Sequence, residues 1–217
     1  RLLAKVVASG RGASVRQADG EWSTLVPPDA IEGEGLQGVV GVLVDGGRLT
    51  LVGLDGRVLQ YAESDRKLRV VPLSQTLPQP VRHVAQDTSG CLWVCAGEML
   101  ARVSPGTPEW DVELVALPKG EEAAESTVIG DAPLVRTTRR GLFMRVGSRW
   151  QTVLQGSHGD HLDPSNQFRV DAAAGTLWSL SVRSDGVHVA RYAFGDRRWQ
   201  AVQVCGADID LGPLPVL

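Results

Sequence analysis

The chain has 217 residues, a net charge of −3 and 43% apolar residues, which is enough to build a hydrophobic core. Because strongly basic surfaces are typical of nucleic-acid-binding domains, this charge argues against a nucleic-acid partner. No apolar run reaches the roughly 18 residues of a membrane-spanning helix, so we expect no membrane insertion of this chain itself. The chain starts at Arg1 and no signal-peptide pattern follows, so we expect a mature domain or a piece of a longer protein.

Short apolar stretches bounded by glycine and aspartate follow one another along the chain. Clear examples are VVGVLV (39–44) and LTLVGL (49–54), which flank the turn sequence DGG. Such stretches between turn residues predict β-strands, and 25 Gly and 12 Pro supply the turns. The best helix candidate, the acidic stretch 119–126, lacks an apolar face. The predicted fold class is therefore all-β.

One segment recurs five times along the chain. Each copy has a glycine, a short strand that carries an arginine, a polar turn and a tryptophan, with Leu68 in the tryptophan's place in the second copy. The equivalent glycines are 44, 41, 44 and 45 residues apart, which defines a unit of about 43 residues. These glycines are Gly12, Gly56, Gly97, Gly141 and Gly186.

A strand, a turn and a second strand precede the glycine of each unit, most clearly at residues 81–97 and 168–181. One unit therefore contains four antiparallel strands, which is the composition of a propeller blade. We predict a single β-propeller domain over residues 1–217, with about five four-stranded blades. Part of a larger propeller is the alternative.

The ends of the chain do not coincide with the boundaries of the repeat units. Aligning Gly141 with Gly12 places Arg1 just after the position of the first strand, so unit one lacks that strand. Leu217 follows a segment that corresponds to the first strand of one further unit. We expect residues 211–217 to complete the first blade beside residues 2–8. This pairing would close the ring and leave no open sheet edge.

Tryptophan recurs at two places in the unit. In the second strand, alternation places Leu92 and Val94 on one face and Trp93 on the other. The tryptophans near the end of each unit are expected to fill the gap between neighbouring blades, and a ring of ligand-stacking aromatics is the alternative. The set assigned a structural role is Trp22, Trp93, Trp110, Trp150, Trp178 and Trp199.

Few residues suggest a binding site. The sequence HGDHLD (158–163) contains three residues of types that can bind a metal ion, His158, Asp160 and His161. The segment is either a solvated polar loop or a metal or ligand site. Arg139 and Arg140 flank the fourth strand of a unit, as do basic residues at 66–69 and 197–198. They are either solvated turn residues or a surface for an anionic partner.

The sequence contains no zinc-protease motif, no nucleophile elbow and no phosphate-binding loop. We therefore expect a protein that is not an enzyme, with no cofactor and no bound metal. The loops differ strongly between units, for example at 105–109 and 146–148, which weakly disfavours equivalent binding sites in every unit.

Residues 85–103 and 137–150 resemble the two-component regulator propeller repeat, although Thr50 stands where that repeat has tryptophan. This resemblance implies a sensor that lies outside the cytoplasmic membrane and is attached to further signalling domains, with an unknown small-molecule or protein ligand. Tectonin-type lectin propellers are also similar and imply sugar binding. A sensor or interaction module, a lectin and a protein-interaction scaffold are thus the alternatives. The residues that match the first repeat are Asp87, Gly90, Leu92, Trp93, Val94, Gly97, Leu100 and Arg102, with Gly141, Leu142, Phe143 and Arg145 in the other segment.

Overall fold

A computed structural model describes the strands of this protein and most of their connections. No described segment is helical, and so none contains a helix that could span a membrane. The described residues are 5–9, 12–16, 22–26, 38–45, 48–62, 67–139, 141–154, 167–171, 174–183, 186–194, 196 and 198–205. The ring closure expected from residues 211–217 lies outside these ranges.

The described strands form five antiparallel sheets, and neighbours in the chain are neighbours in the sheet. The all-β propeller prediction is confirmed, and each sheet is one blade. Blade 1 contains β1 (Lys5–Ser9), β2 (Gly12–Arg16) and β3 (Trp22–Val26). Blade 2 contains β4 (Val39–Asp45), β5 (Arg48–Gly53), β6 (Val58–Ala62) and β7 (Lys67–Val70).

The other three sheets have four strands each in the same order. Blade 3 contains β8 (His83–Gln86), β9 (Leu92–Ala96), β10 (Met99–Ser104) and β11 (Asp111–Ala116). Blade 4 contains β12 (Ala123–Ile129), β13 (Ala132–Thr137), β14 (Leu142–Val146) and β15 (Arg149–Leu154). Blade 5 contains β16 (Gln167–Asp171), β17 (Thr176–Arg183), β18 (Gly186–Ala193) and β19 (Arg198–Cys205).

The first strands of blades 2, 3 and 4 lie side by side and form the inner part of the molecule. The first strands of the blades repeat more regularly than the turn glycines do. In each of blades 2 to 5, one residue of the first strand pairs with the equivalent residue of the second strand, and these residues follow one another at intervals of 42. They are Gly41, His83, Glu125 and Gln167. The inner strands keep a constant spacing because each must meet its neighbour at the same level.

Facing surfaces of neighbouring blades bury apolar side chains between them. In β9, Leu92 and Val94 pack toward blade 2, whereas Trp93 packs toward blade 4. Leu134 and Leu177 meet between blades 4 and 5. Blades 3 and 4 are thus covered on both faces, because a twisted four-stranded sheet cannot leave an apolar face in water.

Three of the tryptophans near the end of a unit have described side chains, and each of them packs against the preceding blade. Trp110 is buried between blades 2 and 3, Trp150 packs between blades 3 and 4, and Trp199 packs between blades 4 and 5. The side chain of Trp22 lies outside the described part of the chain. Trp178 lies under the guanidinium of Arg191, 5.9 Å from the ring centre.

The turn before β9 is fixed by the buried carboxylate of Asp87. Its Oδ1 accepts hydrogen bonds from the backbone nitrogens of Ser89 and Cys91 at 3.0 and 2.9 Å. Its Oδ2 accepts a bond from the Trp93 indole at 3.1 Å. Gly90 completes the turn with φ +84°, a conformation that residues with a Cβ rarely adopt. One aspartate therefore orients both the turn and the inter-blade tryptophan.

Candidate ligand-binding site

A cavity of about 180 Å³ lies beside the inner strands where blades 3, 4 and 5 meet. Its polar groups come mainly from the inner strands β8, β12 and β16, and its apolar wall comes from the strands behind them. The lining residues are His83, Glu125, Ser126, Thr127, Leu134, Arg136, Leu142, Arg169, Val170 and Leu177.

A bulge in β12 creates the charged centre of this cavity. The register between β12 and β13 shifts between Ala123 and Glu125, and Glu125 then stands opposite Arg136. Nη2 of Arg136 donates to the Glu125 carboxylate at 2.6 Å, and the Arg136 side chain is buried. Bulges re-aim side chains in this way and often lie beside functional sites. Loss of Glu125 would remove an ion-pair partner of this buried guanidinium.

His83 forms the side of the cavity toward blade 3. Its Nδ1 accepts a hydrogen bond from the backbone nitrogen of Ser126 at 3.3 Å, so the proton of the neutral ring is assigned to Nε2. Burial lowers the pKa of His83 below its usual 6.5. Glu125 opposes this shift, and Arg136 and Arg169 add to it. The imidazole is therefore neutral at pH 7.

Two groups near the cavity that resemble nucleophiles are poorly placed for that role. The Ser126 hydroxyl lies 3.5 Å from Nδ1 of His83, but Ser126 is only 2% exposed and Nδ1 already accepts a backbone bond. Burial raises the pKa of the Cys95 thiol to about 12, although a hydrogen bond with Ser126 opposes the shift. A thiol that stays protonated at neutral pH is unreactive.

The charged pair of the cavity occurs once among blades 2 to 5. The positions equivalent to Arg136 hold Val52, Cys95 and Leu180 in the other three blades. Those equivalent to Glu125 hold a glycine, a histidine and a glutamine. The charged pair is therefore a feature of blade 4 and not of each of these four blades.

Of the candidate binding residues suggested by the sequence, Arg139 lies in the described part of the chain, and it is not among the described residues that line this cavity. Arg139 is exposed in the turn after β13 and lies near Gly120. Arg140, His158, Asp160 and His161 lie outside the described residues. Within the described residues, no group of three or more His, Cys, Asp or Glu side chains is placed to hold a metal ion.

The sequence reasoning missed the residues that do line the cavity. One signal was present: Arg136 interrupts the apolar strand APLVRT, and an arginine inside a buried strand requires a partner. The partner could not be identified, because Glu125 shares the stretch 119–126 with two other glutamates, Glu121 and Glu122.

No protein-family model matches the chain. No curated protein matches it either. Solved structures of similar fold do exist, and they share 12 to 14% sequence identity with it.

One similar structure is the extracellular domain of the hybrid two-component system BT4673 from B. thetaiotaomicron, with a TM-score of 0.62 and 14% identity. YCF48 bound to D1 peptide has a TM-score of 0.59 and 13% identity over 90% of this chain. PorZ, a surface component of the type-IX secretion system of Porphyromonas gingivalis, has a TM-score of 0.58 and 12% identity.

These similarities show the fold alone. The alignments cover 93% of this chain against BT4673 and PorZ but only 26% of each of those proteins. They cover 64% of YCF48. The chain thus corresponds to a part of each of these larger proteins.

Proposed function

We propose that this chain is a non-catalytic binding propeller, the sensing module of a larger signalling protein, with its ligand site in the cavity between the inner strands. The observation that carries the proposal is the grouping of Arg136, Arg169 and Glu125 against a wall of leucines. The similar fold of the BT4673 extracellular domain supports a sensor. The single occurrence of the charged pair favours one ligand over the repeated sites of a lectin.

The size and charge of the cavity select a class of ligand. A dry cavity of about 150 Å³ in another protein holds benzene, so the 180 Å³ found here suits a ligand of roughly six to nine non-hydrogen atoms. Two guanidinium groups and one carboxylate line it, and His83 is neutral at pH 7. Guanidinium groups bind carboxylates well because their parallel N–H donors match the two carboxylate oxygens, so a ligand with one carboxylate suits the arginine side of the cavity. Leu134, Leu142 and Leu177 suit a short apolar body, so the ligand class is a small monocarboxylic acid.

The experiment compares benzoate with benzamide, which has nearly the same shape but no charge. We expect benzoate to raise the melting temperature of the protein in a concentration-dependent way, and benzamide to leave it unchanged. Isothermal titration calorimetry then measures the benzoate affinity of the parent, of Arg169→Met and of Arg149→Met. Arg149 is an exposed arginine on the outer strand β15 and serves as the control.

Arg169→Met should weaken benzoate binding at least tenfold, and Arg149→Met should leave it within twofold of the parent. Equal binding of benzoate and benzamide would contradict an anion site. The absence of binding by a panel of monocarboxylates of four to eight carbons would overturn the assigned ligand class.

A further inference from the structure

Among the described residues that line the proposed ligand cavity, His83 is the one that comes from blade 3. It lies at the start of β8, beside β12 of blade 4. β12 is the inner edge of its sheet, because among the described strands it pairs with β13 alone. The backbone N–H of Ser126 points out from this edge and donates to Nδ1 of His83, with 3.3 Å between the two nitrogens. The imidazole is thereby anchored to blade 4.

This contact decides which ring nitrogen of His83 carries the proton. A backbone N–H can only donate, so Nδ1 must be the acceptor, and the proton of the neutral ring is then on Nε2. The hydroxyl of Ser126, 3.5 Å from Nδ1, can donate as well and does not favour the other tautomer. His83 therefore presents Nε2–H as a hydrogen-bond donor whose direction is set by the anchor on β12.

The hydrogen on Nε2 has no acceptor among the described residues, since the side-chain hydrogen bonds of His83 both involve Ser126. Nε2 is also not sealed inside the protein, so a ligand in the cavity can reach it. The leucines of the cavity wall offer no acceptor, and a donor without a partner in a largely enclosed place costs free energy. An acceptor atom on the ligand would supply the missing hydrogen bond.

We infer that His83 selects a ligand with a carbonyl oxygen, so that the small monocarboxylic acid proposed above is an oxo acid. The inference rests on the proposed function, because it takes the cavity as the ligand site. The arginine side of the cavity binds the carboxylate, and Nε2–H of His83 donates to the oxo oxygen. The cavity of about 180 Å³ is small enough for one ligand to reach both groups.

The donor on His83 also disfavours two related classes of acid. A carbonyl oxygen only accepts, whereas a hydroxyl group would need a further acceptor for its own hydrogen. An ammonium group at the same place would face Nε2–H with N–H donors of its own. We therefore expect oxo acids to bind more tightly than hydroxy acids or amino acids of the same chain length.

Isothermal titration calorimetry compares pentanoate with 2-oxopentanoate and 4-oxopentanoate, which place the added oxygen near the carboxylate or far from it. At least one of the two oxo acids should bind the parent about tenfold more tightly than pentanoate, as expected for one added hydrogen bond. In His83→Leu this preference should fall to within twofold. His188→Leu is the matched control and should keep it, because His188 is not among the described residues that line the cavity.

A conservative variant separates the donor from mere packing. His83→Gln keeps an N–H donor and offers an oxygen to the N–H of Ser126, so it should recover most of the preference for the oxo acid. Thermal melts check that each variant is folded. A measurement on the parent needs no substitution: nitrogen-15 NMR of histidine-labelled protein should show His83 with a protonated Nε2 and an unprotonated Nδ1, and the oxo acid should shift the Nε2–H resonance.

Equal affinity of the parent for pentanoate and both oxo acids would overturn the role of His83. The carboxylate site would survive that result if Arg169→Met still weakened pentanoate binding. A proton on Nδ1 of His83 would also overturn the inference, as would tighter binding of 2-hydroxypentanoate or 2-aminopentanoate than of the oxo acids. If none of these acids binds, both the inference and the proposed function are wrong.

Discussion

The indole Nε1 of Trp150 donates a hydrogen bond to the carbonyl oxygen of Ala116 at 2.8 Å. This bond joins the outer strand of blade 4 to the outer strand of blade 3. The ion pair between Arg145 of β14 and Glu113 of β11 joins the same two blades at 3.1 Å. The indole packs against the cluster that contains Cys95 and Val135, yet part of the ring remains exposed. Trp150 therefore links two blades through both its apolar surface and its polar atom.

Substitution of Trp150 separates these two contributions. Trp150→Ala should lower the free energy of unfolding by about 3 kcal/mol, because it removes the ring from the inter-blade layer. Trp150→Phe keeps most of that contact and loses the hydrogen bond, which costs about 1 kcal/mol. Urea unfolding measures both changes. An unchanged stability for Trp150→Ala would favour the ligand-stacking interpretation of the tryptophans.

Removal of the Asp87 carboxylate should destabilise blade 3. Asp87→Ala leaves the buried Trp93 indole and two backbone nitrogens of the turn without their acceptor, so we expect a loss of about 2–3 kcal/mol. Asp171→Ala in blade 5 is the control, because Asp171 accepts a bond from the Ala174 nitrogen and should contribute about 1 kcal/mol or less. Denaturant titrations of the two variants give the comparison, and equal losses would contradict the role assigned to Asp87.

A double-mutant cycle isolates the bond between Asp87 and Trp93. Asp87→Asn keeps an oxygen acceptor for the turn but turns an amide toward the indole N–H. Trp93→Phe removes that N–H. If the bond is significant, the combined variant should lose less stability than the sum of the single losses, with a coupling of about 1 kcal/mol. Strict additivity would mean that the bond contributes nothing.

His83 should make the stability of the protein sensitive to mildly acidic pH. Its folded pKa is lowered from 6.5, chiefly by burial, with Glu125 raising it and Arg136 and Arg169 lowering it. Above the unfolded pKa the imidazole is neutral in both states, so no stability is lost there. As the pH falls through 6.5, the unfolded chain binds a proton before the folded one, and the free energy of unfolding decreases. His83→Gln should therefore show a shallower decrease between pH 7 and pH 5.5 than the parent.

The matched control for this pH dependence is His188→Gln, which changes a histidine in β18 that is not among the described residues lining the cavity. Urea unfolding at several pH values measures each profile. His188→Gln should retain the parental decrease. A His83→Gln profile that follows the parent would contradict the protonation state assigned to His83.

Gly41 should tolerate no larger side chain, because a Cβ atom at this position would lie 2.8 Å from Cβ of Val84. Real Cβ contacts are longer, so the inner strands of blades 2 and 3 would have to separate. Gly41→Val should cost about 1–3 kcal/mol in unfolding free energy. Adding Val84→Ala should recover part of the loss, and thermal melts of the single and double variants test this. A fully stable Gly41→Val would show that the two strands are not in close contact.

Much of the fold follows from local sequence. The alternation in CLWVC places Leu92 and Trp93 on opposite faces of β9, and the structure has them in different inter-blade layers. The departure of unit two from the repeat was also visible, since Thr50 stands where Trp93 and Trp178 stand in their blades. These features are predictable because strand alternation and turn chemistry depend on residues near one another in the chain.

The proposed ligand cavity depends on residues far apart in the chain. Arg169 lies 86 residues after His83, and the two meet only because consecutive blades bring their inner strands together. The bulge that places Glu125 opposite Arg136 has no local marker in the sequence. By itself the sequence determined the strands, the turns and the repeat, whereas the radial packing of the blades decided which charged side chains share a site, since that depends on inter-blade distances that no local pattern encodes.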